Sequence, residues 1–423
     1  MKTQLNLSRR QFVAAGVGAA GFAALPRFAQ AAPEVRFEAH VPFRAITRGP
    51  NSHWFGYYDK LQFDETNRFA LGMEVGFNDR SPKPDDAIRL GMIDLEDNDK
   101  WIELGHSSAW CWQQGCMLQW LPGHSDTVIY NARLNGAYQA VIQNVKTGEQ
   151  RALPKPVYAV DPIGKNAVCP NFARLGVTRP GYGYNGPADP WQDELQPRHD
   201  GIYQMSLETG AWRLIISLDQ IAGYKPDDTM FGAKHWFNHL LFSPTGERFI
   251  FLHRWERTVN GRRSWYTRMF TADADGGNLF CVADHDMVSH FIWKNSKQIL
   301  AWSREPKHGD RFHLYTDKTD TVAVIGDGVL MRDGHCTYSP DQQWVLVDTY
   351  PDQERMQNLM LYRPTDGKLV KLGRFYQAPE SKGEIRCDLH PSWSRDGRRV
   401  SIDSRHNGGR QIYLLDVSEI TQP

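Results

Sequence analysis

Polar and apolar positions come in short bursts along this chain, not with a helical period. Asn238-His239-Leu240-Leu241-Phe242 runs into a turn at Ser243-Pro244-Thr245-Gly246, and the apolar Phe249-Ile250-Phe251-Leu252 follows. Apolar runs of this length bounded by turn residues predict strand, turn, strand. The unit recurs as Ser289-His290-Phe291-Ile292-Trp293, as Gly334-His335-Cys336-Thr337-Tyr338-Ser339-Pro340-Asp341, and as Leu389-His390-Pro391-Ser392-Trp393-Ser394-Arg395-Asp396-Gly397. Its histidines lie 51, 45 and 55 residues apart. A strand-rich period of roughly 40–50 residues marks the blade of a β-propeller.

Weaker echoes precede these four. Trp54 to Lys60 opens a first blade, in which Phe63 to Phe69 falls in phase with Phe242 to Phe249; Met117 to Gly123 opens a second and Val157 to Pro162 a third. Turns at Val145 to Glu149, Leu207 to Gly210, Asp273 to Gly277 and Pro364 to Gly367 are expected to end blades. The count is seven, which predicts an all-β, seven-bladed propeller in a single domain over residues 32–423. The stretch 33–48 is expected to close the ring against the last blade. Two insertions, 175–200 and 219–234, break the period, and no substantial helix is expected.

Equivalent positions of successive blades face one central channel. His239, His290, His335 and His390 are therefore predicted to converge on the axis. Lys60, Met117 and Val157 hold the same position in the other three blades, so the histidines occupy one side of the ring. Neutral imidazole is the commonest protein ligand for transition metals. The four are candidate ligands for one divalent ion, with Mn, Zn and Ca all open. Cys387 and Asp388, close before His390, are possible substitutes.

Three further groups could carry chemistry. Tyr158 heads blade three, and Arg174 is expected at the end of that blade's second strand, close enough to form an acid–base pair. His53 stands beside Trp54, Tyr57, Tyr58 and Asp59. The stretch Trp110 to Trp120, with Trp112, Gln113 and Gln114, has the aromatics and amides of a sugar-binding surface. His235 and His253 flank blade four, and either could serve as a base. His406 is among the remaining histidines that share no frame.

Composition narrows the field. Lys plus Arg and Asp plus Glu are 49 each, so no basic excess points to nucleic acid. The 14 Trp, 36 Gly and 24 Pro suit an all-β chain with many turns. There is no apolar run long enough to span a membrane. Ser8-Arg9-Arg10-Gln11-Phe12-Val13, an Ala/Gly-rich stretch to Leu25, and Ala29-Gln30-Ala31 together read as a twin-arginine export signal over residues 1–31. A periplasmic or secreted protein is expected. The six cysteines form no CxxC pair, and no bridge is expected.

On these residues the chain resembles the seven-bladed propeller polysaccharide lyases. The Asn238–Gly246 stretch with Leu252-His253, and Ser289 to Trp293, resemble oligogalacturonate lyases. That resemblance implies a manganese site with His290 and His335 as ligands and His253 as base, although Arg332 and Asp333 stand where the family carries a glutamine ligand. The spacing of Tyr158 and Arg174 is similar to the catalytic pair of propeller ulvan lyases. Gln113 and Gln114 stand where those enzymes place histidines, which leaves His53 for that part.

The implied reaction is β-elimination at a uronic acid, on an acidic oligosaccharide or polysaccharide. Arg174 would neutralise the carboxylate, Tyr158 would be base and acid, and His53 or His235 would bond the carboxylate. Trp54, Tyr58, Trp112 and Gln114 are expected at the substrate, and a monomer is expected. The alternatives are a glycoside hydrolase on the same scaffold, such as one releasing rhamnose from glucuronic acid, and a non-catalytic binding propeller of the TolB kind.

Overall fold

A computed structural model of the chain describes residues 36–259 and 261–422. The expected export signal lies outside the described residues. The fold is the seven-bladed propeller that the repeat predicts: seven antiparallel sheets, six of four strands and one of five.

Blade one comprises Ser52–Trp54, Phe69–Val75, Ile88–Asp94 and Lys100–Ser107. Blade two is Gln119–Trp120, Thr127–Leu134, Ala137–Asn144 and Gln150–Leu153; blade three is Ala159–Val160, Asn166–Cys169, Gly201–Ser206 and Trp212–Ser217. Blade four has the longest strands, Lys234–Phe242, Arg248–Val259, Arg262–Asp273 and Phe280–Ala283. Blade five is Val288–Trp293, Gln298–Glu305, Gly309–Thr316 and Val322–Ile325; blade six is Cys336–Tyr338, Val345–Asp348, Met356–Arg363 and Lys368–Tyr376. Blade seven is Ser392–Trp393, Arg399–Ser404 and Gln411–Asp416, and its fourth strand comes from the other end of the chain.

That strand, Phe43–Ala45, pairs with the last one through Phe43↔Leu415 and Arg44↔Leu414. Just before it, Phe37–Ala39 adds a fifth strand to blade six, with Phe37 opposite Phe375. The ring is thus closed by hydrogen bonds at two edges that would otherwise be exposed templates for pairing. His406 is buried at this seam among Phe37, Phe43, Phe375 and Tyr413, with ring centroids 4.5–5.6 Å away.

The turns at 145–149, 207–210, 273–277 and 364–367 correct one expectation. They join the third and fourth strands of their sheets and do not end the blades. A fourth strand of four to nine residues follows each. These outer strands are part-exposed and weakly apolar, so their pattern hardly rises above that of a loop.

The apolar residues pack between sheets. Leu121, Ile129 and Val157 join blades two and three, Leu252 joins Phe291 between blades four and five, and Leu346 joins Val400 between six and seven. Each such side chain removed from water contributes about 1.5–3 kcal/mol. Each sheet is therefore held mainly by its neighbours, and its first strand sits against theirs, toward the axis.

The insertion after Cys169 begins with a helix, Phe172–Thr178. Asn171 caps it, its side-chain oxygen accepting from the Ala173 and Arg174 amides at 3.0 and 3.1 Å. This satisfies two donors that a helix start leaves unpaired. Arg174 is therefore a first-turn helical residue and not the end of a strand.

Candidate active site

The frame position breaks the inner strand of blades four and five and lies just before the inner strand of blades six and seven. In blade four the ladder slips between Asn238 and Leu240, and in blade five between Val288 and Phe291. A bulge re-aims one side chain. Here it turns the histidines off their sheets and toward the axis. His239 has φ 49° and His390 φ 42°, and Met117, at the same position in blade two, has φ 58°. Left-handed backbone is uncommon outside glycine, and strain of this kind is concentrated at functional sites.

The four imidazoles meet there. Ring centroids of His290 and His335 are 4.1 Å apart, those of His335 and His390 4.3 Å, and those of His239 and His290 6.5 Å. Their surroundings divide them into three roles.

His335 and His390 gather with Asp388, their ligand atoms all within 4.8 Å of one another. His335 Nε2, His390 Nε2 and Asp388 Oδ1 are buried and have no hydrogen-bond partner in the protein. Three buried polar atoms left unpaired this close together would be costly unless something else satisfies them. His335 is locked by Asp348, which lies 3.0 and 2.9 Å from its Nδ1. A carboxylate behind a metal-binding histidine is the arrangement that fixes ring and tautomer in metal sites. Burial, then the other channel imidazoles, hold His335 and His390 well below the ordinary histidine range, so both are neutral and free to ligate. Burial pushes Asp348 up to about 7. The residues fit a divalent cation.

His290 stands beside this group with different partners. Its Nδ1 is 2.9 Å from Asp333 Oδ1 and 3.2 Å from Ser289 Oγ, and its Nε2 is 3.4 Å from the Tyr350 hydroxyl. With Nδ1 donating to the carboxylate, Nε2 carries the free lone pair.

His239 closes a polar chain. Gln114 Nε2 donates to Tyr158 Oη at 2.6 Å, Tyr158 lies 3.1 Å from His239 Nδ1, and His239 Nε2 lies 3.2 Å from Tyr57 Oη. Donation by Gln114 leaves the Tyr158 proton for Nδ1, so Nε2–H donates to Tyr57. Burial raises Tyr57, Tyr58 and Tyr158 well above the usual phenol range, and all three are protonated. Tyr58 donates to the Phe291 carbonyl at 2.9 Å.

The other expected site residues lie elsewhere. Arg174, 1% exposed, donates to Asp189, to the His235 carbonyl and to the carbonyls of Trp191, Glu194 and Leu195. Its guanidinium is fully engaged in holding the insertion, and nothing of it faces the axis. His235 and His253 are paired inside blade four at 2.8 Å, His235 stacked on Trp255 and His253 tilted against it. His53 is buried in blade one beside Glu74 and Trp101. Trp54 and Trp112 are 0% exposed and pack with Trp110 between blades one and two, so neither offers a face to a sugar. Cys387 is buried, its thiol pushed up to about 11 by desolvation, and it is no part of the ligand group. All six cysteines are free.

Sequence reading missed several residues that complete the site. Arg386 bonds Asp388 at 2.7 Å and the Tyr182 hydroxyl at 2.7 Å, and it lies over the Tyr350 ring. Tyr182 comes from the insertion between the second and third strands of blade three. Asp348 follows His335 by 13 residues and reaches it across the blade-six ladder. Asp388 is already among the possible ligands that the sequence offers; of the others only Asp333 could be suspected, from its closeness to a frame histidine.

No protein-family model matches this chain, and no curated protein sequence does. Solved structures do. An oligogalacturonate lyase in complex with manganese aligns with TM-score 0.64 and 14% identity, covering 89% of this chain and 93% of its own. The oligogalacturonate lyase of Vibrio parahaemolyticus aligns with TM-score 0.62 and 14% identity, covering 90% and 96%. The β-propeller domain of Myceliophteria thermophila Cps50 aligns with TM-score 0.50 and 11% identity, covering 89% and 100%. At these identities the likeness is one of fold. Among the described residues no helix is long and apolar enough to cross a membrane.

Proposed function

We propose that this protein is a lyase that cleaves a uronic-acid-containing oligosaccharide or polysaccharide by β-elimination, with His335, Asp388 and His390 holding one divalent cation and His290 as the base. The observation that carries the reading is the juxtaposition of an orphaned, buried ligand group with an Asp-oriented imidazole 4.1 Å from one of its rings. The two lyase structures sharing the fold, one of them with manganese, support it. A set of two imidazoles and a carboxylate suits manganese or zinc better than calcium, which prefers oxygen donors alone.

The C5 proton of a uronate is weakly acidic because its carboxylate resists further charge. The cation, when bound, supplies the positive charge that lets enolate character develop there. His290 Nε2 takes the proton, and Asp333 stabilises the imidazolium. The Tyr350 hydroxyl donates its proton to the glycosidic oxygen. The C4–O bond breaks and a C4–C5 double bond forms. The tyrosinate recovers a proton from His290, its neighbour at 3.4 Å. Arg386, over the Tyr350 ring, stabilises the phenolate in between. His239 with Tyr57, Tyr158 and Gln114 fixes the opposite wall of the channel.

The twin-arginine segment supports export to the periplasm or beyond, where such glycans are met. The test is a screen of uronate glycans with the metal-loaded protein, read by the ultraviolet absorbance of the unsaturated product. Loss of that product in His290→Gln, with the ion retained, supports the assignment. Unchanged turnover in that variant refutes it.

A further inference from the structure

Beside His290 lies a cleft of about 420 Å³ between blades four and five, lined by Arg254, Trp265, Asp286, Ser289, Arg304 and Asp333 among others. It shares a wall with the proposed base, because Ser289 and Asp333 are the two partners of His290 Nδ1.

Its guanidiniums are not alike. Arg304 is at the surface and committed to Asp310 through two bonds of 2.8 and 3.1 Å. Arg254 is 4% exposed, and among the described residues no carboxylate lies within 4.0 Å of it. Among the described residues its only bonds are long ones, from Nε to the Thr267 hydroxyl at 3.2 Å and from Nη2 to the Val288 carbonyl at 3.4 Å; Nη1 has none there. A buried charge without a partner is expensive. Burial pulls Arg254 down to about 10, which still leaves it charged at neutral pH.

A second unpaired guanidinium makes the arrangement stranger as structure and more sensible as a site. Arg179 follows the helix of the insertion, and its buried Nε has no partner among the described residues. Both cations lie over one indole: Arg254 is 4.7 Å and Arg179 4.8 Å from the Trp265 ring. Trp265 stands on the long hairpin of blade four and is 45% exposed, although it is large and apolar. Trp236 stacks parallel to the same indole at 6.4 Å, and two like charges without a counter-ion among the described residues, beside an indole still 45% exposed, fit a ligand that is both anionic and ring-shaped. Neither acid of the cleft, Asp286 or Asp333, forms an ion pair with Arg254, and Asp333 is engaged with His290, so an anion is directed to the Arg254 end.

We propose that Arg254, Arg179 and Trp265 form a second uronate subsite, in which a guanidinium pair takes the carboxylate of a neighbouring sugar and the indole carries its ring. This rests on the lyase reading above and deepens it. The substrate class becomes glycans with adjacent uronates, in preference to those in which uronates alternate with neutral sugars. Guanidiniums grip carboxylates through paired bonds, and an indole supplies a rigid apolar face.

The test compares a homopolymeric oligouronate with the same oligomer methyl-esterified, and with an alternating glycan. Wild-type protein is expected to prefer the free acid at least tenfold in kcat/KM. Arg254→Gln is expected to raise KM for the free acid about tenfold or more, to leave kcat within about threefold, and to reduce the preference over the ester, the remainder coming from the carboxylate of the reacting sugar. Arg254→Lys, which keeps the charge, should recover part of it, and Trp265→Ala should raise KM for acid and ester alike. An unaltered preference in Arg254→Gln, or equal KM in Trp265→Ala, overturns the subsite. Binding is followed separately by quenching of indole fluorescence on titration with saturated oligogalacturonate. Quenching that needs Arg254, in a protein that cleaves no uronate, would keep the subsite and reject the lyase. Cleavage without any dependence on Arg254 would do the reverse.

Discussion

His335 Nδ1 lies 2.9 Å from Asp348 Oδ2, and the opposite nitrogen of the same ring points, without a protein partner, at Asp388 and His390. One imidazole is thus fixed from behind by a buried carboxylate and left open in front. The pairing spans two strands of blade six, so the sheet itself sets the orientation of the ligand. Asp348→Asn should therefore weaken metal binding by roughly 10–100-fold without removing a ligand. Competition titration with a metal indicator measures this. An affinity unchanged within twofold would mean that Asp348 serves only the fold.

The division of labour among the histidines predicts a contrast. His335→Ala and Asp388→Asn should lose the ion from the purified protein, as elemental analysis would show. His290→Gln should keep about one ion per chain and lose roughly 10²–10⁴-fold in kcat, the usual worth of a general base. Asp333→Asn should fall between that variant and the wild type. Loss of the ion in His290→Gln would place His290 among the ligands, as the repeat alone suggests.

Arg174 is predicted to matter for stability and not for turnover. Truncating it removes a charged donor from Asp189 and from four carbonyls, a loss of about 3–5 kcal/mol by analogy with other broken buried pairs. Denaturant unfolding of Arg174→Ala checks the size. The fraction that remains folded should turn over at the wild-type rate.

The seam that closes the ring should respond to acid. Burial alone lowers His406 to about 4 from an ordinary value of 6.5. A base whose folded value is depressed stabilises the fold above its unfolded value, and that stability is lost as the pH falls from 6.5 toward 4. The expected loss is roughly 3 kcal/mol from this one group. Other buried histidines add to it, so His406→Phe should reduce the slope of stability against pH by about one proton in that window. An unchanged slope would show that His406 is protonated, or exposed, in the native protein.

The fold and the meeting of His239, His290, His335 and His390 were legible because both follow from one repeated frame. A repeated position implies a repeated direction, and in a closed ring that direction is the axis. What the frame could not show is which imidazole does what. That depends on Asp348, Asp333, Arg386 and Tyr182, which arrive from other strands or from an insertion with no period. The same limit explains Trp54 and Trp112, whose residue type suits a sugar surface equally well as the space between two sheets. Arg174 went astray for a local reason: Asn171 starts a helix in a chain otherwise made of strands, and a helix of seven residues leaves little periodic signal. Arg254 and Trp265 sit at positions with no counterpart in other blades, on the hairpin that only blade four extends.

The central claim is that the channel carries out β-elimination on a uronate. The most direct measurement is the ultraviolet absorbance of a reaction of the manganese-loaded protein with oligogalacturonate, followed beside the release of reducing ends. Absorbance rising in step with new reducing ends, and lost in His290→Gln, is the predicted result. New reducing ends without any absorbance would mean hydrolysis, and would contradict the account.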